Sequence, residues 1–492
     1  MKIINAGAVI LLMFCAGLLV GAESAPDLIL TGVITHADNH TYHEVPFSVP
    51  SGIARLTIEF SYTTRDAHTT IDLGLFDGER FRGWSGGNKG AFTISETDAT
   101  PSYLPGPIRP GTWKLVLGIP NIREGIRSEF RANVYFLRAN SPLPLSPFLD
   151  APLNTSSGWY RGDLHMHTGH SDGSCKNQSG KNVPCPVFKS VEAAVARGLD
   201  FIAITDHNTG SQYDAERELQ PYFDRLLLLA GREITTFQGH ANVWGPTQFI
   251  DFRLTGRQVP NLNALLNEVR DLHGVISVNH PADPSGESCM GCGWTAPDTD
   301  FSRVDAIEAV NGGDPDTRIS GIPFWEEKLN QGFRLTGIGG SDNHHADLAG
   351  SAPSSIGHPT TVVYAKQLSQ SGILSGIRSG RVFIDIEGTR DRALDLSAST
   401  STTQAYMGEQ LNAPRGSAVQ FSIHVLHAAG AHVEVIEDGK KADSLAYPVL
   451  EQTDEIKRFE WNSDGSRHWV RVNIRSAEGR LLLVGNPVYL NF

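Results

Sequence analysis

The sequence predicts an α/β region between two antiparallel β-sandwiches. Three stretches point there: short alternating apolar and polar runs before about residue 140, apolar strands alternating with helical segments over 159–388, and a return to alternation over 393–492. The length of 492 residues agrees, because an ordinary domain takes roughly 100 to 200 residues.

The first 22 residues read as a secretory signal. Met1-Lys2 supplies the charged start, Ala6 to Val20 the apolar run, and Gly21-Ala22 the small residues that place cleavage near Ala22. A membrane anchor is the rival, but the apolar run is short against the roughly 20 residues a bilayer span needs. Cys15 follows the bulky Leu12-Met13-Phe14, where a lipoprotein signal wants small residues. The expected location is periplasmic or secreted, with no transmembrane span in the mature chain.

Over 27–140, runs such as Ala54-Arg55-Leu56-Thr57-Ile58-Glu59-Phe60 and Thr112-Trp113-Lys114-Leu115-Val116-Leu117 alternate with period two between Gly, Pro, Asn and Asp, as in an N-terminal β-sandwich. Pro142, Pro144, Pro147 and Pro152 mark a linker. Over 159–388 the predicted strands are 200–205, 227–231, 241–244, 275–278, 306–310, 335–339 and 361–364. The predicted helices are 187–197, 261–273, 323–330 and 367–378. Strands alternating with helices argue for a parallel sheet or barrel. Runs such as Val419-Gln420-Phe421-Ser422-Ile423 and Trp469-Val470-Arg471-Val472 predict a second β-sandwich over 393–492.

Beyond the signal stand Cys175, Cys185, Cys289 and Cys292, an even number suited to an oxidising compartment. Of the possible pairings we favour the local ones, Cys175–Cys185 and Cys289–Cys292, since each pair shares a loop rich in Gly, Pro and Ser. The Cys-Met-Gly-Cys spacing also suits a zinc or redox pair, without the second pair or the thioredoxin-like context either requires. Formal charge is −13 and no lysine or arginine cluster tracks a phosphate backbone, so long nucleic acid is not the expected partner.

The chemistry is concentrated at the predicted strand ends: His165 and His167, Asp172, His207, Glu233, His240, His280, Asp342 and His344. His-x-His on a strand puts both imidazoles on one face. Each element alone has an ordinary explanation: a capped turn in Thr205-Asp206-His207, a satisfied core histidine in His280. Their succession at the C-terminal ends of strands, where parallel barrels carry their chemistry, makes coincidence a poor account. Mixed imidazole and carboxylate donors suit divalent Zn, Mn or Fe ions, and the absence of cysteine among them favours an open catalytic site over a structural one.

On these motifs the 159–388 region resembles the polymerase and histidinol phosphatase (PHP) superfamily. Within it, the secretory signal and flanking β domains look like the carbaryl-hydrolase-like (CehA/McbA-type) metallohydrolases. The resemblance implies a distorted (β/α)7 barrel holding two or three metals. It assigns one metal to His165, His167, Glu233 and Asp342, a second, bridged by Glu233, to His240 and His280, and a third to Asp172, His207 and His344. Asp172 stands where some members have histidine, which bears on the third site's strength or metal preference.

Asp163 and Asp206 are candidates to accept the free N–H of a ligating imidazole, or equally to cap a turn. Arg232, His170, Asn343 and His345 sit beside ligands, within reach of a substrate anion, and an ordinary buried ion pair is the rival for Arg232. Among these, Glu233, Asp342, Arg232 and His170 are the expected catalytic residues.

A bound divalent metal lowers the pKa of water from about 15.7 towards 7, so hydrolysis needs no serine or cysteine nucleophile. Three divalent ions against Asp172, Glu233 and Asp342 leave about +3 in the site, which favours a small phosphomonoester or phosphodiester. A carbamate or carboxylic ester is the alternative substrate, and a glycan- or surface-binding protein the alternative class. Trp84 and Tyr103 are candidate sugar platforms, with burial in the core as the rival for each. The loop from Gly169 to Pro186 is expected to wall the pocket, so that its reduction changes substrate affinity more than metal content.

Overall fold

The computed structural model describes residues 25–87, 89–138, 151–255, 259–286, 289, 291–313, 315–442 and 448–492. The predicted signal segment and most of the proline-rich linker lie outside the described residues. The fold is mixed α/β and strand-rich, with five short helices among the described residues. None of these is long and apolar enough to cross a membrane.

Two four-stranded antiparallel sheets form the N-terminal part. One runs in the order Leu28–Thr35, Arg127–Arg138, Ile53–Tyr62, Ala91–Ser95, and the other Tyr42–Val49, Gly111–Asn121, Thr70–Phe76, Phe81–Ser85. Period-two alternation sends Leu56, Ile58, Leu73, Leu75, Leu115 and Leu117 into one shared apolar core. A buried ion pair, Asp98 with Arg55, fastens this part to Arg217 of the central region.

The central strands are β1 (Gly158–Asp163), β2 (Phe201–Ile204), β3 (Leu227–Thr236), β4 (Gly239–Trp244), β5 (Val275–Val278), β6 (Ala306–Asn311), β7 (Thr336–Gly340), β8 (Thr360–Ala365) and β9 (Val382–Asp385). They lie in the order β7-β6-β5-β4-β3-β2-β1-β8-β9. Pairing is parallel for β1–β2, β2–β3, β5–β6 and β6–β7. The all-parallel expectation fails elsewhere. β3 and β4 form a tight hairpin across Thr236 and Gly239, too short for a helical crossover, so β4 runs antiparallel to both β3 and β5. β8 is antiparallel to both β1 and β9. Past the strand ends, Met166 bridges Asn343, linking the segment after β1 to the one after β7.

The helices follow from their apolar spacing and caps. α1 (Val187–Arg197) buries Val187, Ser190, Val191 and Ala194, one face at helical period, and stops at Gly198 in the left-handed conformation. α2 (Tyr213–Leu219) is a short helix that the sequence reading did not anticipate. α3 (Leu262–Asp271) starts where the Asn261 side chain accepts the Ala264 N–H. α4 (Ile322–Asn330) carries a proline in its first turn. α5 (Gln370–Ser379) is capped by Ser369 and ends at Gly380.

The expected boundary between the barrel and the second sandwich is crossed by hydrogen bonds. Leu481–Gly485 pairs with β9, so one sheet of the C-terminal part, continuing through His468–Arg475 and His432–Glu437, extends the central sheet. A separate four-stranded sheet (Gln404–Tyr406, Ala393–Ser399, Ala418–Leu426, Asp454–Asn462) packs over it on a common core. Cys175 pairs with Cys185 and Cys289 with Cys292, the local connectivity.

Candidate metal centre

The segment leaving β1 carries His165 and His167 on one face, while Met166 between them packs among Val187, Val191 and Ile204. β3 carries Glu233, and His240 on β4 lies diagonally across the hairpin, opposite Thr235. His280 follows β5 and Asp342 follows β7, both with positive φ, +26° and +50°. Each such residue costs on the order of 1–3 kcal/mol and persists only where its surroundings fix it. Here the His280 N–H is held by Glu308 Oε2 at 2.9 Å and the Asp342 N–H by the His165 carbonyl at 2.8 Å.

All nine side chains converge. Glu233 is the hub: its Oε1 lies 3.4 Å from His165 Nε2, 3.4 Å from His240 Nδ1 and 3.3 Å from His280 Nε2, and its Oε2 lies 2.7 Å from His207 Nδ1 and 3.7 Å from His167 Nε2. Asp342 Oδ1 lies 3.3 Å from His165 Nε2 and 3.1 Å from His167 Nε2. Asp172 reaches His344 Nε2 at 3.4 Å, His207 Nε2 at 3.7 Å and His167 Nδ1 at 4.0 Å. His167 thus lies between two sets of donors, one nitrogen towards each.

These residues fit cations better than one another. His165 Nε2 and His167 Nδ1 are buried and lack a hydrogen-bond partner, a costly state for polar atoms that no solvent reaches. Burial disfavours charge on Glu233, yet the facing imidazoles, His165 foremost, outweigh it and hold the carboxyl well below its usual range. Burial likewise opposes a charged His280, but Glu233 and Asp342 raise it to about 9, and Asp172 and Asp342 do the same for His344. Donor sets of three or four ligand atoms within one ion's reach are His165 with His167 and Glu233, His165 with His280 and Asp342, and His167 with Asp172, His207 and His344. Cys292 lies near His240 and His280 but is disulfide-bonded, and its carbonyl rather than its sulfur meets His280 Nδ1, at 3.1 Å.

The residues around this core are only partly those expected. Asp163 and Asp206 hold backbone and hydroxyl groups instead of imidazoles. Asp163 accepts the N–H groups of His165, Ser341 and Gly357, and Asp206 accepts Thr168 N–H, Thr168 Oγ1 and Ser171 Oγ. Arg232 does not face the cluster. Strand alternation turns it away from Glu233, to the Pro246 carbonyl at 3.1 Å and the Tyr213 ring. His170 is exposed, two residues from Asp172, with its ring on Ser211 Oγ at 2.8 Å. Asn343 braces the carbonyls of His345 and Ser354, and His345 bonds Ser174 Oγ.

The residue that the sequence reading missed is Glu308. Its Oε1 lies 2.8 Å from His165 Nδ1, while its Oε2 accepts the His280 N–H and, at 3.0 Å, the Asn311 amide, which also reaches Asp342 Oδ2 at 3.3 Å. One buried carboxylate therefore keeps the His165 proton on Nδ1, leaves the Nε2 lone pair facing Glu233 and Asp342, and fixes two further donors. The available signal was a charged residue flanked by the apolar Ala306, Ile307, Ala309 and Val310 of one strand. In Glu308→Gln the amide has a single acceptor oxygen where the carboxylate uses two. Metal affinity, read by competition with a chelating dye, is expected to fall about 10- to 100-fold. Unchanged affinity would remove Glu308 from this role.

Asp172 sits on an exposed loop whose neighbour Gly173 accepts the Cys185 N–H at 2.9 Å, while the Cys185 carbonyl accepts from Gly169 at 2.6 Å. The Cys175–Cys185 bridge closes the small hairpin that provides these bonds, and such an isolated two-stranded pair is marginal by itself. This shifts the expectation for the loop from substrate affinity to metal content. The double variant Cys175→Ser, Cys185→Ser is expected to lose metal from the Asp172 set before the other two, as elemental analysis along a chelator titration reports. Equal retention at all sets would contradict the coupling.

No family model matches the chain, and no curated protein matches it. Among solved structures, a two-domain protein from Bacteroides vulgatus containing a predicted PHP-like metal-dependent phosphoesterase is similar at 17% identity and a TM-score of 0.39, over 68% of this chain and 95% of that one. A protein from Bifidobacterium adolescentis, of the same predicted metal-dependent phosphoesterase class, is similar at 18% identity and a TM-score of 0.25, over 37% of this chain and 87% of that one.

Proposed function

We propose that the chain is an exported metal-dependent phosphoesterase acting on small phosphomonoesters or phosphodiesters, with the central region as the (β/α)7 barrel of the PHP superfamily. The observation that carries the reading is the convergence of nine imidazole and carboxylate donors on Glu233 and Asp342, with buried lone pairs left unpartnered. Donors of this kind fit two or three Zn, Mn or Fe ions. Bound ions would supply hydroxide at neutral pH and stabilise charge on phosphate oxygens.

The chain's own part is to hold that chemistry in place. Glu233 ties the donors of two sets together, and Glu308 and Asn311 fix His165, His280 and Asp342 from behind. Asp172 and His344 are the more exposed donors, which favours their side of the cluster for substrate entry. Counting Glu308 with the three ligating carboxylates lowers the charge left by three divalent ions to about +2, which still favours an anionic ester over a neutral one. The two disulfides support an oxidising destination and hence export.

The test is turnover of p-nitrophenyl phosphate, bis-p-nitrophenyl phosphate and 1-naphthyl N-methylcarbamate by the metal-loaded protein. Cleavage of a phosphate ester supports the proposal. Cleavage of the carbamate alone shifts the assignment to a carbamate or carboxylic ester hydrolase.

A further inference from the structure

We propose that the outer face of the N-terminal sandwich binds a neutral sugar ring with equatorial hydroxyls, in a depression of about 290 Å³ built around Trp84 and Tyr42. Register creates the concavity. Asp72, Gly118 and Tyr42 stand in one cross-strand row, and Trp84 lies opposite Gly74 in the next. Their neighbours Leu73, Leu75, Leu115 and Leu117 turn into the core, so these rows face outward. A Cβ on Gly74 would come within 2.4 Å of Trp84 Cε3, and one on Gly118 within 2.7 Å of its Cη2, so the indole rests directly on bare backbone. Tyr42, 73% exposed, stands edge-on to it, with ring centroids 5.8 Å apart and planes at 65°.

Core packing does not require this arrangement, because Tyr42 is mostly in solvent and the aromatic pair lies outside the sandwich. The flanks are polar: Asp72 on one side, His40 and Thr41 on the other. The Asp72 carboxylate accepts no hydrogen bond among the described residues. An aromatic wall rimmed by a carboxylate, an imidazole and a hydroxyl matches the two surfaces of a sugar, apolar C–H groups across the ring face and hydroxyls around its edge. Rings with all-equatorial hydroxyls, as in β-linked glucose and xylose chains, present that apolar face most fully. Tyr103, the other aromatic that the sequence offered, is 5% exposed and stacks on Phe92 at 3.9 Å, so it belongs to the core.

Calorimetric titration of the full chain with cellohexaose and with xylohexaose is expected to show saturable binding to at least one of them. Trp84→Ala and Tyr42→Ala are each expected to weaken it about tenfold. Tyr42 is exposed, so its variant keeps the test valid if Trp84→Ala disturbs the sheet. Neither sugar carries an ester, so the outcome is independent of the chemistry at the metal centre. Absence of binding to both sugars, or binding undiminished in Tyr42→Ala, overturns the assignment.

Discussion

Glu233→Gln is expected to strip metal from the centre and to lower hydrolysis of a phosphoester on the order of a thousandfold, since bound metal supplies several kcal/mol of transition-state stabilisation. The size of the effect follows from the number of donors this one side chain organises. Its two oxygens lie within 3.7 Å of nitrogens from His165, His167, His207, His240 and His280, and Asn279 Nδ2 donates to Oε1 at 2.8 Å. Glutamine has nearly the same shape but carries no charge and offers one acceptor. Its amide nitrogen would aim a donor at imidazoles whose lone pairs are needed for cations. Metal content by elemental analysis and turnover of p-nitrophenyl phosphate are the paired readouts. Loss of activity with full metal content would make Glu233 a catalytic group rather than a bridge. Retention of both would remove it from the centre.

Most of the converging donors were legible because they stand at or just past strand ends, which can be read from apolar runs bounded by turn residues; Glu233 inside β3, His240 at the start of β4 and Asp172 on its loop were read from their motifs. His165 and His167 needed only period two, and His207, His280, Asp342 and His344 follow directly on short buried strands. Pairing direction was not legible in the same way. The run 241–244 looks like any buried strand, and only the shortness of its connection to β3 makes it antiparallel. The continuity of β9 with Leu481–Gly485 joins residues about a hundred positions apart, a pairing that local pattern does not encode. Arg232 was misplaced by adjacency: it neighbours Glu233 in sequence, and for that reason faces the opposite side of the strand. Glu308 was overlooked because a lone acid in a strand reads as an irregularity until His165 is seen beside it.

Asp98→Ala is expected to destabilise the protein by about 3–5 kcal/mol, the usual cost of leaving one side of a buried ion pair uncompensated. Asp98 is fully buried, and Arg55 meets it through two nitrogens at 2.6 and 3.0 Å. Arg217 of α2 bonds its other side, and Arg55 also reaches Thr247 at 3.2 Å. Removing the carboxylate strands two buried guanidinium groups at the seam between the N-terminal sandwich and the central region. Burial opposes the ionised acid, but Arg55 and Arg217 outweigh it and hold its pKa at about 2, against 3.8 in an unfolded chain. A folded pKa below the unfolded one gives stability that is fully present above about pH 4 and lost as pH falls towards 2, on the order of 2 kcal/mol. The acid effect is smaller than the alanine effect because a protonated carboxyl still fills the space and accepts hydrogen bonds. Urea unfolding of wild type and Asp98→Ala at pH 7 and at pH 2 checks both values. Replacing Arg55, Asp98 and Arg217 together by apolar side chains is expected to cost far less than Asp98→Ala alone, because no charge is then left buried. If the triple variant is the less stable of the two, the seam depends on the ion network itself rather than on charge balance. Limited proteolysis of Asp98→Ala is then expected to release the sandwich from the rest of the chain.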